Sequence, residues 1–431
     1  MLKRTHYTNE LEKNVGKEAV LSGWVHDVRL LGKINFVLLR DSEGITQIAV
    51  PQEKVSKEIT EVVKKLHQED VLTIKGKIQK SKSKDYPVEM IPEKIEVVSK
   101  SEVPLPMDPR EVTKANLDTH MEWRVIDFRT PESKAIFKIQ TEILRAFREF
   151  FNKRNYIEMQ PPVIIASASE GGAELFQIPY FEKKAYLAQS PQLYKQMGAI
   201  SFEKVFSVMP IFRAEKFDQP THLNEIRQMD MEQAFIDDEE AMDILEECFM
   251  FILCEVKKNM KDELKVLCRE LIIPKSPLKR VTYDEVVKIL QKNGEKIKFG
   301  DDFTKTQEKA MGKLIGDAFF VKDWPAEIKA FYAMPDEKNP KVCHAFDLIY
   351  NGLEICSGTQ RIHIPELLTK QIKSKGLDPK DFKFYVDALR YGAPHHSGWS
   401  IGLERITMAV TGKSNIREVT MFPRDRNRIT P

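Results

Sequence analysis

Short apolar runs, many alternating with polar positions, dominate the N-terminal part of the chain. Val20 to Val25, Ile34 to Arg40, Thr46 to Val50 and Val71 to Ile74 have the length and β-branched content of half-buried strands. Glu93 to Val98, just after Pro92, adds a fifth. Turn residues such as Asp41-Ser42-Glu43-Gly44 separate these runs, and a helical pattern over Lys54 to His67 follows the third. Five short strands with a helix after the third predict an OB-type barrel over residues 1–103, a fold that binds single-stranded nucleic acid on an exposed sheet. Lys75, Lys77, Lys80, Lys82 and Lys84 make a basic edge, suited to phosphate contacts and equally to guarding an open sheet edge.

Beyond the barrel, Val103-Pro104-Leu105-Pro106-Met107-Asp108-Pro109 cannot hold regular structure, and residues 104–130 read as a linker. Pro131-Glu132-Ser133 then opens a long amphipathic helix whose apolar face carries Ile136, Ile139, Ile143, Leu144, Phe147, Phe150 and Phe151. It leads into Tyr156 to Ile165, a strand interrupted by Pro161 and Pro162 and therefore expected at an edge or interface. Val205 to Ile211 reads as a buried strand, Lys216 to His222 as a loop, and Asp230 to Phe235 as its antiparallel return. A helix is expected over 238–260 and a mixed insert over about 280–340, helical at Tyr283 to Gln291 and without evident chemistry. The expected class is α+β, with the second domain spanning 131–431.

Composition adds limits. Of 431 residues, 42% are hydrophobic and 31% charged, as in an ordinary globular protein of two or three domains. No run is long and apolar enough to span a membrane and no signal-type core follows Met1, so a cytoplasmic protein without a membrane partner is expected. Five cysteines without a Cys-x-x-Cys pair argue for reduced thiols and against structural zinc. A net charge of +2 decides nothing about nucleic acid.

Four stretches carry candidate chemistry. Phe212-Arg213-Ala214-Glu215 ends the buried strand; Arg213 and Glu215, two apart, can grip a phosphate and steer a base, or simply pair with each other. Glu170, in the small-residue loop Ser167 to Glu174, can take an ammonium, and Lys195, in Gln189 to Gln196, a carboxylate. Asp347 and Glu354, seven apart, suit Mg²⁺ through oxygen ligands. Gly402-Leu403-Glu404-Arg405 takes a glycine-broken strand into a helix, where Arg405 and free N–H groups suit a phosphate.

In this order the stretches resemble the three signature motifs of the class II aminoacyl-tRNA synthetases. The long helix with Pro161 is similar to motif 1, Phe212 to Glu215 to motif 2, and Gly402 to Arg405 to motif 3. The barrel is similar to that of the subgroup for aspartate, asparagine and lysine, and the resemblance runs to Phe422-Pro423-Arg424-Asp425-Arg426, closest to the aspartyl branch of archaeal and eukaryotic-cytosolic type.

The resemblance implies a class II catalytic domain, an antiparallel sheet flanked by helices, and ATP-dependent attachment of L-aspartate to tRNA-Asp through an aspartyl-adenylate. Lys195 and Arg361 would hold the side-chain carboxylate, Glu170 and Gln192 the α-ammonium, with Ser357 beside them. A lysyl enzyme would need acids at Lys195 and Arg361, and asparaginyl enzymes usually lack the lysine. Arg213 would hold the α-phosphate, Arg405 the γ-phosphate, and Glu215 the adenine edge or the tRNA end. Ala214, Thr221, His222, Leu223, Glu354, Gly402, Leu403 and Glu404 would complete the ATP site, and Glu354, Ser357 and Asp347 would organise Mg²⁺. Thr221 stands where many members have an arginine for the γ-phosphate, and Ile226 where many stack an aromatic on adenine. In the barrel, Phe36 would stack on an anticodon base, with His26, Gln47 and Glu89 as further contacts. His26, Asp85 and Pro87 replace the tryptophan and nearby lysine that accompany strict anticodon selection, so charging of tRNA-Asn as well is expected. A homodimer through the motif 1 helix and strand is implied. The rivals are an asparaginyl-tRNA synthetase and an asparagine-synthetase-like paralogue, which has no use for an anticodon barrel.

Overall fold

In the computed structural model, which describes residues 2–166, 175–216 and 219–431, the chain divides into two units, Met1–Lys114 and Ala115–Pro431. The first is a closed barrel of β1 (Glu18–Leu31), β2 (Ile34–Arg40), β3 (Ile45–Pro51), β4 (Val71–Lys80) and β5 (Val88–Ser99), in the order β1-β2-β3-β5-β4. Inward residues at every second position, among them Leu21, Val37, Leu39, Ile48, Val50, Ile74 and Met90, fill its core. The barrel is tight: a Cβ on Gly76 would lie 2.2 Å from the Ile91 carbonyl oxygen. The helix Lys57–Lys64, capped by Ser56, follows β3.

Closure corrects one expectation. β4 pairs with β1 on one side and β5 on the other, so its lysines guard no open edge. Lys75 instead pairs with Glu18 at 3.0 Å and Glu93 at 3.6 Å.

The second unit is built on an eight-stranded sheet. Its strands are β6 (Ile157–Glu158), β10 (Lys204–Phe212), β11 (Glu225–Ala234), β12 (Lys279–Thr282), β13 (Ala318–Pro325), β14 (Val342–Tyr350), β15 (Leu353–Gln360) and β16 (His396–Gly402), in the order β12-β13-β14-β15-β16-β11-β10-β6. The central pairings are antiparallel, and the outermost pair at each end is parallel. β7 (Ile164–Ile165), β8 (Gln177–Tyr180) and β9 (Lys183–Leu187) make a separate three-stranded sheet. The expected proline-broken strand is thus split: β6 lies at the edge of the large sheet and β7 joins the small one.

The helices Pro131–Asn152 and Asp238–Asn259 share a core with this sheet, where Phe147, Phe151, Phe206 and Trp399 meet edge to face or stacked. Thr130 caps the first helix, its Oγ1 accepting from Ser133 N at 3.2 Å, with Pro131 in the first turn.

Two stretches differ from expectation. Residues 115–130 belong to the second unit and carry the short helices Leu117–Glu122 and Arg124–Asp127. The buried Arg124 guanidinium pairs with Asp127 and donates to the Met421 carbonyl at 2.8 Å, tying this stretch to the C-terminal segment. The stretch over about 280–340 is part of the sheet unit: β12 and β13 extend the sheet, the helix Tyr283–Lys292 packs on them, and the helix Lys305–Ile315 packs against β14 and β15. Among the described residues no helix is long and apolar enough to cross a membrane.

Candidate active site

A cavity of about 1690 Å³ opens over the middle of the large sheet. β11, β14 and β16 lay alternate side chains into it, and β15 lines it from Leu353 to Thr359, so residues distant in sequence converge through strand register. Of the expected residues, Gln192, Lys195, Arg213, Glu215, Thr221, His222, Leu223, Asp347, Glu354, Ser357, Arg361, Gly402, Glu404 and Arg405 line it. Ala214 and Leu403 do not, and Glu170 lies outside the described residues.

One end is closed and charged. Lys195, on the helix Gln192–Phe202, donates to Asp230 Oδ1 at 3.0 Å and to the Trp399 carbonyl at 3.2 Å, and lies 3.4 Å from Glu232 Oε2. Arg361 grips Glu232 with two parallel bonds, Nε to Oε1 at 2.8 Å and Nη2 to Oε2 at 3.0 Å. All four groups are at most 3% exposed. Room for Glu232 depends on Gly398, where a Cβ would stand 2.1 Å from its Oε2. Burial works against ionising Glu232, but Arg361 and Lys195 outweigh it and hold the carboxyl below its ordinary range. Burial pushes Asp230 up despite Lys195. Two cations and two carboxylates sum to no net charge. The buried Gln192 Nε2 has no hydrogen-bond partner among the described residues, leaving a donor for a ligand oxygen. Asp230 and Glu232 were not singled out in the sequence, though two acids two apart, each next to Met231 in a strand, signal a buried ion network.

The other end is wider and more exposed. Arg213 and Glu215 follow β10 and stand 3.9 Å apart. Asn224 staples their loop, its Nδ2 donating to the carbonyls of Arg213 at 2.7 Å and Glu215 at 2.9 Å. Arg405, in the first turn of the helix Leu403–Thr411, lies 3.2 Å from Glu354 Oε1 and donates to the Glu354 carbonyl at 3.1 Å. Burial, with Arg405, Lys305 and Arg213, lowers His222 to about 4, so its ring is neutral near pH 7 and adds no fourth cation. Leu223 packs with Met408, Ile416 and Ile226 as an apolar wall. Glu404 accepts from Arg227 N at 3.1 Å on each oxygen, and burial pushes its carboxyl up to about 7.

Asp347 and Ser357 are register partners across β14 and β15, with Glu354 at the start of β15. Burial, and then the nearby Glu354 charge against Lys329, raise Asp347 to about 6. Lys329, from the stretch read as chemically silent, donates to both Asp347 oxygens at 3.1 and 2.9 Å, its Nζ 3.8 Å from the Trp324 ring centroid. Lys305 and Glu308 also line the cavity and were likewise missed. Among the described residues no three His, Cys, Asp or Glu cluster as a metal cage.

In the barrel, Phe36 is half-buried on β2, opposite Ala49 of β3. Gln47 and Glu89 are paired across β3 and β5; Gln47 Nε2 donates to Glu89 Oε2 at 2.7 Å, and Glu89 also accepts from Gln79 at 2.8 Å and Ser81 at 3.1 Å. That network occupies the Gln47 amide nitrogen. His26 Nδ1 lies 3.2 Å from Nη1 of Arg40, which pairs with the buried Glu69 at 2.8 Å. Arginine only donates, so Nδ1 accepts and the ring carries its proton on Nε2. Burial and Arg40 lower the His26 pKa and keep the ring neutral. Asp85 and Pro87 lie in the loop joining β4 and β5, where the Pro87 carbonyl accepts from Ser81 N at 2.9 Å.

The sequence matches the family described as tRNA synthetases class II (D, K and N) over residues 116–426, and an OB-fold nucleic acid binding domain over residues 19–98. It is 46% identical to an aspartate–tRNA(Asp/Asn) ligase of Methanocaldococcus jannaschii, over 100% of this chain and 98% of that protein. It is also 46% identical to an aspartate–tRNA(Asp) ligase of Pyrococcus horikoshii, over 99% of this chain and 100% of that one. Among solved structures, an asparaginyl-tRNA synthetase of Pyrococcus horikoshii complexed with asparaginyl-adenylate superposes with a TM-score of 0.96 at 33% identity, covering both chains fully. An aspartyl-tRNA synthetase of Entamoeba histolytica gives 0.88 at 35% identity, over 100% of this chain and 93% of that one. Two domains, each matched to its own family, and a cavity lined by the elements of motifs 2 and 3 lead to one assignment: the chain belongs to the class II tRNA synthetases of the D, K and N group.

Proposed function

We propose that this enzyme joins L-aspartate to tRNA-Asp, and to tRNA-Asn, at the expense of ATP. The observation that carries the aspartate reading is the buried pairing of Lys195 and Arg361 with Asp230 and Glu232. Two fixed cations at a closed end suit a side-chain carboxylate, which would cost several kcal/mol to bury unpaired. An asparagine side chain in the same place carries no charge and so gains weaker hydrogen bonds from Lys195 and Arg361 than a carboxylate does.

The chemistry has two steps. An α-carboxylate oxygen of aspartate attacks the α-phosphorus of ATP in line, forming a mixed anhydride while the bond to pyrophosphate breaks. A hydroxyl of the 3′-terminal adenosine of tRNA then takes the aspartyl group and AMP leaves. Neither step needs a protein nucleophile, because positioning and charge neutralisation supply the rate. Arg213 holds the α-phosphate, Arg405 the γ-phosphate, Glu215 the adenine edge or tRNA end, and Leu223 the apolar side of the base. The Gln192 carbonyl oxygen and Glu170 take the ammonium, and Gln192 Nε2 is left to donate to a ligand oxygen. Asp347, Glu354 and Ser357 are hard oxygen donors, and the like-charge pressure of Glu354 on Asp347 is what a divalent cation relieves, so the set fits Mg²⁺. When bound it would neutralise phosphate charge.

In the barrel, Phe36 stacks on an anticodon base, Gln47 keeps its carbonyl oxygen for a second, and Glu89 fixes Gln47. His26, Asp85 and Pro87 leave the third anticodon position loosely read. The helix Pro131–Asn152 and β6 are the proposed homodimer face. The asparaginyl reading draws on the TM-score of 0.96, but the higher identity to aspartate ligases and the presence of Lys195 favour aspartate. Charging two transcripts, with anticodons GUC and GUU, with labelled aspartate tests the proposal. Comparable charging of both is expected, strong preference for GUC would restrict the enzyme to tRNA-Asp, and charging of neither would overturn the reading.

A further inference from the structure

The segment over about 280–340 contributes a wall to the active-site cavity. The helix Lys305–Ile315 is capped by Thr304, whose Oγ1 accepts from Gln307 N at 3.3 Å while Thr304 N donates to Gln307 Oε1 at 2.9 Å. It is seated on the β14–β15 turn backbone to backbone. A Cβ on Gly312 would lie 3.1 Å from the Gly352 backbone, and Gly352, at φ +71°, would bring its own Cβ within 3.1 Å of Lys309 Cα. That contact fixes the helix to the hairpin carrying Asp347 and Glu354.

Its first turns then face the phosphate end. Lys305 Nζ lies 2.7 Å from Glu308 Oε1, and Glu308 is 5% exposed. Glu308 Oε2 accepts from Glu354 N at 3.4 Å, and the Glu354 carboxylate is 3.2 Å from Arg405. The chain Lys305–Glu308–Glu354–Arg405 therefore runs along one wall and ends on the arginine assigned to the γ-phosphate. The Lys305 side chain is 38% exposed, open enough to reach a ligand, whereas Lys195 at the other end is sealed. Its charge is also felt at His222 and Glu354.

We infer that Lys305 is a further phosphate-positioning residue of the activation step, meeting the β- and γ-phosphates of ATP, and the departing pyrophosphate, from the wall that carries Glu308 and Glu354. Glu308 aims it: one oxygen holds the ammonium and the other holds the hairpin backbone.

This inference rests on the ATP-dependent reading above, and aspartate-dependent ATP–pyrophosphate exchange separates the two. Exchange by the unaltered enzyme tests the reading. With that established, Lys305→Met should raise KM for ATP and for pyrophosphate about tenfold, the loss of one charge-assisted hydrogen bond. KM for aspartate and the inhibition constant of AMP, which lacks those phosphates, should not move. Lys305→Arg should restore both raised constants to within about threefold. An unchanged KM for ATP, or an AMP constant that rises in parallel, would overturn the inference. So would failure of Lys305→Arg to rescue.

Discussion

The two ends of the cavity handle charge in opposite ways. At the amino-acid end, two cations and two carboxylates are almost fully buried, neutralise one another and are locked by strand register and by a glycine. At the phosphate end the cations are partly open, with side-chain exposure of 34% for Arg213, 20% for Arg405 and 38% for Lys305, and each stands on a different element. The buried network is costly to assemble and fails as a unit, so it suits discrimination between ligands that differ by one charge. The open array is screened by water and tolerant of movement, so it suits a ligand that must arrive, react and leave in pieces.

That contrast can be broken hardest at Lys195. Replacing it with Leu removes a cation and leaves Asp230 and Glu232 facing one arginine; aspartate-dependent exchange should fall by about 10³-fold, with KM for ATP little changed. Intact activation would mean that the closed end does not read the substrate. Arg405→Ala should cost less, about 10²-fold in kcat/KM for ATP, because neighbouring cations remain and water can enter. A third test sharpens the comparison without mutation. Raising KCl from about 0.05 to 0.5 M should raise KM for ATP severalfold while KM for aspartate changes less than twofold, since screening reaches only the open end. Equal salt dependence would erase the distinction.

The last test concerns stability rather than activity and turns on Glu404. The folded-state pKa of Glu404, about 7, exceeds its ordinary 4.5. Its contribution is therefore complete below about pH 4.5 and is lost as pH rises through about 7. At ~1.4 kcal/mol per pH unit that loss is on the order of 3 kcal/mol. Urea midpoints at pH 5, 6, 7 and 8 should decline more steeply for the parent than for Glu404→Gln; parallel profiles would show that Glu404 is not the group responsible.

Much of this was legible in the sequence because the signals are local. Period-two alternation marked the barrel strands, a 3.6-residue period marked the helix Pro131–Asn152, and turn residues marked the β10–β11 hairpin. Arg213, Glu354 and Arg405 could be named because each sits in a short motif, and all three line the cavity. What stayed hidden is made by distant contacts. Lys329 acquires meaning only when strand pairing brings Asp347 beside it, and Lys305 only when two glycines let a helix settle on a hairpin. β4 is kept from the edge by its pairing with β1, distant in sequence, which no local pattern reveals, so β4 looked like an edge. The proline-rich composition of 104–109 was extended too far, because the anchoring of Arg124 depends on carbonyls near the C-terminus.

The central claim is that the closed end selects a negatively charged side chain. Its most direct test is ATP–pyrophosphate exchange by the purified enzyme with aspartate and with asparagine, each over its full concentration range. The account predicts that kcat/KM for aspartate exceeds that for asparagine by about 10³-fold or more, since charge-assisted hydrogen bonds from Lys195 and Arg361 favour a carboxylate over an uncharged amide. Exchange with asparagine equal to or faster than with aspartate would contradict it.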